Sequence, residues 1–335
     1  MQSVLLKPVD TRVLKGIAIL LMLTHHLFYN DSMNGMFGEV SLFGVRVVHE
    51  IGLWSKVCVT IFVLLSGYGL EVTSKGKVIH LLDFYKHRFK KLMINYWFVW
   101  ILTVPIGIFV FGHSLNGVYG NHIVIKCILD FFGLINFTGS YGYNPTWWFY
   151  SCIIAMYLLF PLFHVMSDGL GGGRMSLLTW VGALLISLRS STFFLAPVAN
   201  YILPFLAGIW LAKLPVNSFK KISKTELVLT FLLLTIFRNR SGQLTFIVDS
   251  LLAVILVLIV WRMPLKGFLG RTFEKLGKHS MNMFLVHSFF ISQWFTKETY
   301  ILYNPILILL QLMTISYFVS VVIEYIKQKI HFYDI

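Results

Sequence analysis

Charge is what this sequence lacks. Only 13% of its 335 residues are Asp, Glu, Lys or Arg, while 57% are hydrophobic, and an ordinary soluble domain carries roughly a quarter charged residues. With a mean hydropathy of +0.76 the chain cannot cover itself with polar surface, which excludes a water-soluble globule. No long polar block separates the apolar stretches, so one membrane domain over residues 1–335 is expected rather than a membrane anchor carrying a soluble enzyme. Internal repeats and low-complexity tracts are missing too. Cysteine is scarce: Cys58, Cys127 and Cys152 are odd in number and none stands in a C-x-x-C or Cys/His arrangement. A disulfide framework and a metal site are therefore not expected. The first apolar stretch follows Lys7, Arg12 and Lys15 as a signal peptide would, but Thr24-His25-His26-Leu27 lacks a small-residue cleavage pattern, so it is expected to stay as a span.

What is present is a succession of apolar segments, and a helix needs roughly 20 residues to cross a hydrocarbon core. The sequence predicts an all-α polytopic transmembrane bundle of about ten spans, at 13–29, 57–72, 92–111, 147–166, 175–188, 196–212, 225–237, 244–261, 279–295 and 305–326. The fifth and seventh are short and require tilt or bilayer thinning. The stretch 123–137 is apolar but broken by Lys126, Asp130 and Gly133, and reads as re-entrant or interfacial. The basic residues fix the orientation. Of 28 Lys and Arg, only Arg46, Lys56, Lys126, Arg189, Arg238, Arg240 and Lys297 fall in segments placed outside. Cytoplasmic loops collect the rest, which predicts an even number of spans and both termini in the cytoplasm. The net charge of +14 is thereby read as membrane orientation and not as a nucleic-acid surface, because no soluble face gathers it.

Ionisable groups at membrane depth are costly unless they face a cavity or a partner, which makes them candidates for function. His26 lies eleven positions after Lys15, about three whole turns, so the two share one face of the first span to within about 20°. His25 is rotated by about 100° and reads as a packing group. His287 sits in the ninth span, on a face with Ser280, and with His26 is expected to line one passage. Asp249, near the end of its span, is read as a partner of Arg238 or Arg240, or as an interfacial group with a further chance of touching substrate. The cluster Lys86-His87-Arg88-Phe89-Lys90-Lys91 suits anionic headgroups and equally a phosphate-bearing donor, since Arg and Lys bind phosphate oxygens through charge-assisted bonds. Trp147-Trp148 reads first as an interfacial aromatic anchor.

Five pieces in order along the chain resemble the acyltransferase 3 family of membrane proteins. They are Lys15-Gly16-Ile17-Ala18 followed by His26; Ile61 to Tyr68 ending in Ser66-Gly67-Tyr68; Phe84 to Tyr96 with Arg88 and Lys91; Trp148 through Phe160-Pro161-Leu162; and Leu276-Gly277-Lys278-His279-Ser280 leading to Leu285-Val286-His287. The chain departs from the family in Lys15 and Lys91, where arginine is usual, in Asn95 near the position of a frequent proline, and in Ile153 and Ile154 where some members carry a glutamate.

The resemblance implies acyl transfer, most often of acetyl, onto an extracytoplasmic carbohydrate, with acetyl-CoA as cosubstrate and a stand-alone capsule or exopolysaccharide O-acetyltransferase as the nearest kind. It assigns His26, His287 and Ser66 to catalysis, with His26 as general base or Ser66 as an acyl carrier; Lys15, Arg88 and Lys91 to the CoA phosphates; and Trp148 and Asp249 to the acceptor. The expected partners are acetyl-CoA, a polysaccharide or lipid-linked glycan and the bilayer. A different class fits some of the same residues: a transporter or lipid-linked glycan exporter with the histidines as a proton relay. Paired broken helices in repeated halves, its usual mark, are not found in the sequence.

Overall fold

The computed structural model describes residues 5–169 and 196–332; the expected span 175–188, with Arg174 and Arg189 beside it, lies outside them. The helices are α1 (Pro8–Phe28), α2 (Val47–Trp54), α3 (Val57–Ser74), α4 (Leu81–Phe109), α5 (Leu115–Tyr119), α6 (Ile123–Phe131) and α7 (Trp148–Gly169). After the undescribed stretch come α8 (Ala196–Lys213), α9 (Lys224–Arg238), α10 (Thr245–Arg262), α11 (Gly267–Ser288), α12 (Thr296–Tyr300) and α13 (Pro305–Lys329). The all-α bundle stands. Its one departure among the described residues is a two-residue hairpin pairing Ser41–Leu42 with Val45–Arg46.

Local chemistry sets the helix starts. Pro8 occupies the first turn of α1, where its missing N–H is not needed, and the Lys7 N–H donates to the Asp10 carboxylate at 2.9 Å. Ser223 and Glu226 form a reciprocal capping box on α9, and the Asn304 side chain accepts from the Ile306 and Leu307 N–H groups ahead of α13, each satisfying donors that a helix start leaves bare.

Among the described residues six helical stretches are long and apolar enough to cross a membrane: Pro8–Phe28, Val47–Ser74, Leu81–Phe109, Pro145–Ser167, Gly242–Arg262 and Pro305–Lys329. They contain the expected spans 57–72, 147–166, 244–261 and 305–326, and most of 13–29 and 92–111. Three other expected spans are helices of a different character. α8 is a shorter apolar helix and α9 has only 15 residues. The ninth begins twelve residues before the expected 279, at Gly267, because its first half carries Arg271, Glu274, Lys275 and Lys278 and so hides from a hydropathy reading. That helix then passes into a π-helical turn, Phe289–Gln293. The 123–137 stretch is a nine-residue helix and a 3₁₀ turn, Ile135–Thr138.

Two close helix crossings organise the bundle. α1 packs on α11 and α3 packs on α8. In the first, a Cβ placed on Gly16 would fall inside the Phe273 carbonyl, and one on Gly277 inside the Arg12 carbonyl. In the second, the same holds for Gly67 against Phe205 and Gly208 against Leu64. Small residues let helix backbones approach this closely, and dispersion then acts where lipid offers no hydrophobic drive. Arg12 clamps the first crossing through Glu274, Nη2 to Oε1 at 2.8 Å. Substituting Gly16 by Val should force α1 and α11 apart at a cost of about 1–3 kcal/mol. The measurement is the unfolding midpoint of the detergent-purified protein, which should fall for Gly16→Val and much less for Val at Gly69, where a Cβ meets nothing.

Candidate functional site

Ten residues beyond Gly16 on α1 stands His26, and ten residues beyond Gly277 on α11 stands His287. At 1.5 Å per residue both lie about 15 Å from the crossing. The helices run parallel, and the imidazoles meet with ring centroids 4.8 Å apart and planes inclined at 44°. His287 is fully buried. Its Nδ1 lies 2.6 Å from the Phe284 carbonyl, so in the neutral ring Nδ1 carries the proton and Nε2 keeps its lone pair. That Nε2 is buried and has no hydrogen-bond partner among the described residues, an exposed need that a second ring or a substrate can meet.

The neighbouring His25 is held differently. Its Nδ1 lies 2.8 Å from the Gly52 carbonyl on α2, and its ring stacks on Tyr29 at 4.3 Å. His26 contacts rings on three sides, His25, Tyr29 and His287, but among the described residues no hydrogen bond engages its nitrogens.

A cavity of about 1010 Å³ runs beside this pair and is lined by Lys15, His26, Ser66 and Trp148 among others, at the upper end of ligand-pocket sizes. Four of the eight sequence candidates therefore share one space, and His287 lies against the wall behind His26. Lys15 and Lys278 stand near the glycine crossing; the other end is built of Tyr29, Asn136, Tyr141, Asn144 and Trp148. Ser66 donates to the Phe62 carbonyl at 2.9 Å and interacts with the Tyr157 hydroxyl. Trp148 stacks on Tyr201 at 5.7 Å.

The remaining candidates are elsewhere. Arg88 donates from Nη2 to Thr73 Oγ1 at 2.6 Å, with its guanidinium 5.8 Å from the Phe84 ring centre. Lys91 is exposed and near enough for its charge to act at Lys15. Neither lines the cavity. Asp249 does not line it either: Arg238 grips it bidentately, Nε to Oδ1 at 2.8 Å and Nη2 to Oδ2 at 3.1 Å, and also donates to the Leu53 carbonyl. Of the two arginines expected as its partner, Arg238 is the one that pairs, and the ion pair joins α9, α10 and the end of α2, away from the cavity where an acceptor contact was expected.

Sequence reasoning passed over Asp130, seen only as a break in an apolar run. The residue is 1% exposed and has no cation beside it among the described residues. Its side chain accepts instead from Tyr119 Oη at 2.7 Å, the Tyr143 N–H at 2.9 Å, Trp100 Nε1 at 3.3 Å and Tyr96 Oη at 3.2 Å. These bonds tie α4, α5 and α6 to the segment that leads into Asn144 and Trp148. Asn144, also overlooked, is buried and donates to Ser288 Oγ beside His287. No metal-ligand group of three or more His, Cys, Asp or Glu exists among the described residues.

Comparison with known proteins gives one match: the family model Acyl_transf_3, described as an acyltransferase domain, covers residues 10–325. No curated protein and no solved structure matches the chain.

Because Asp130 satisfies four donors, Asp130→Ala should cost roughly 2–5 kcal/mol by leaving several of them unpaired. Asp130→Asn keeps an acceptor oxygen and should cost less. Unfolding midpoints in detergent check the order wild type, Asn, Ala.

Proposed function

The chain belongs to the Acyl_transf_3 family of acyltransferase domains, and from that premise we propose that this membrane acyltransferase moves an acetyl group from cytoplasmic acetyl-CoA to a hydroxyl of a cell-surface or lipid-linked polysaccharide. The observation that carries the reading is His26, a cavity-wall imidazole with no hydrogen bond among the described residues, packed on His287, with Lys15 about 16 Å away along the same helix. In this reading the protein is a stand-alone capsule or exopolysaccharide O-acetyltransferase of the cell membrane, with ten spans and both termini in the cytoplasm. The positive-inside distribution supports that orientation. It puts Lys15 and Lys278 at the cytoplasmic mouth and the tyrosine and asparagine end outside.

Acetyl-CoA enters from the lysine end. Lys15, with Lys278 beside it and Arg88 and Lys91 further out, holds the phosphates through charge-assisted bonds, and the pantetheine arm extends along the cavity toward His26. The acceptor enters from the far end, where Trp148 offers an apolar ring face and Asn136 and Asn144 offer amides. His26 takes the proton of the acceptor hydroxyl as the oxygen attacks the thioester carbonyl. The tetrahedral intermediate collapses with breakage of the C–S bond, the ester forms, and the departing CoA thiolate recovers a proton from the His26 imidazolium. His287, whose Nδ1–H is engaged, packs its ring against His26 and offers Nε2 as an acceptor to a donor arriving in the site. Ser66 takes part through Tyr157 in shaping the passage; direct transfer needs no acyl-serine.

His26→Ala should lower acetyl transfer by about 10²- to 10⁴-fold, the usual worth of a general base, with the protein still inserted. NMR of O-acetyl groups on the glycan, beside a membrane-fraction immunoblot, measures both, and normal acetylation would remove the assignment. Lys15→Ala should weaken acetyl-CoA binding by about tenfold or more, one charge-assisted bond, and leave the unfolding midpoint near that of wild type. Calorimetry with purified protein reads the affinity.

A further inference from the structure

Among the described residues the cavity wall carries three lysines, Lys15, Lys56 and Lys278, and no carboxylate. Two of them stand at the end assigned above to CoA. Lys56 stands at the other, on the link between α2 and α3, and its charge acts on both His25 and His26.

Three other cations of the outer side are committed, and neither Arg240 nor Lys297 lines the cavity. Arg46 donates to Asp31 at 2.7 Å, a bond that holds the Asp31 carboxyl below its usual range, and lies 3.7 Å from Glu39. Lys126 donates to the Tyr119 carbonyl at 2.8 Å, and Arg238 is paired with Asp249. The Lys56 ammonium has no acidic partner among the described residues and is exposed to the cavity. Around it the mouth offers Asn30, Asn136, Tyr141 and Asn144, groups that hydrogen-bond sugar hydroxyls but carry no charge. An anion brought to this end of the cavity would meet the Lys56 ammonium in a charge-assisted bond with no carboxylate on the cavity wall to compete for it.

We propose that Lys56 is a specificity residue that pairs with an anionic group, a carboxylate or a phosphate, on the molecule brought to His26. The anion belongs either to the acceptor glycan or to the far end of the acyl chain. The proposal rests on the acyl-transfer reading for its chemistry, but charge recognition by the cavity is measurable without any transfer.

The test uses the full chain purified in detergent, as wild type, Lys56→Gln and Lys56→Arg. Binding of methyl β-D-glucoside, methyl β-D-glucuronide and glucose 6-phosphate is titrated by calorimetry, and acetyl-CoA is compared with succinyl-CoA in a second arm. In wild type at least one anionic probe should bind about tenfold more tightly than its neutral counterpart; Lys56→Gln should abolish that difference and Lys56→Arg should restore it. A difference among the sugars places the anion on the acceptor, and one between the two thioesters places it on the acyl chain. Equal binding of charged and neutral probes by wild type overturns the proposal. So does a preference that survives in Lys56→Gln, or a variant that loses all probes alike. A protein that shows the Lys56-dependent preference yet transfers no acyl group removes the acyl-transfer reading and leaves this site standing.

Discussion

The distance between α1 and α11 is set where Gly16 and Gly277 let two backbones touch, and the candidate site follows from that contact. Each glycine is followed ten residues later by a histidine, and the helices are parallel, so equal rises bring both imidazoles to one level. An antiparallel pair with the same glycine contact would carry the rings to opposite ends of the bundle. A larger residue at the crossing would move both helices by a side chain's width, more than a 4.8 Å ring contact can absorb. The Lys15-Gly16 pair thus has two roles in adjacent positions: one residue supplies charge to the cavity, the next supplies the close approach that positions the ring eleven places beyond the charge.

The acids explain the cavity's electrostatics by being elsewhere. Glu71 lies 2.8 Å from His164 and 3.5 Å from Lys213, Asp249 is held by Arg238, and Glu274 pairs with Arg12. Glu324 accepts from Asn282 at 2.6 Å and from Lys327. Asp130 has no cation beside it among the described residues and is held by hydrogen bonds. Glu71, Asp130 and Asp249 are buried and would be expensive to strip of their partners, and Glu274 and Glu324, half-buried, also join different helices. Together they pin the bundle around a space whose own charges are all positive, which suits phosphates and leaves the imidazoles without a competing carboxylate.

The sequence made legible whatever depends on one helix at a time. The shared face of Lys15 and His26 follows from helical rise, and both line the cavity. The apolar spans followed from hydropathy wherever one helix is apolar along its length. What escaped was tertiary. α11 starts far earlier than expected because the polar half from Arg271 to Lys278 is helical by virtue of packing on α1, a contact no window of residues reveals. The partner of Asp249 was narrowed to two arginines by proximity, and only the fold selects Arg238. Asp130 announced itself as a charge in an apolar run, but its four donors come from two other helices and a loop.

His25 and His26 show how a single step along a helix divides labour. Both line the cavity, but a rotation of about 100° sends one imidazole onto the Gly52 carbonyl and leaves the other without a hydrogen bond among the described residues. A ring whose Nδ1–H is locked on a backbone carbonyl can present only its other nitrogen, as an acceptor, without breaking that bond; this is the state of His25 and of His287. His26 has neither nitrogen committed among the described residues, so it alone of the three can take a proton on one nitrogen while donating from the other. In the acyl-transfer reading proposed above, proton transfer at this wall is therefore assigned to His26, whose ring packs between the two fixed histidines.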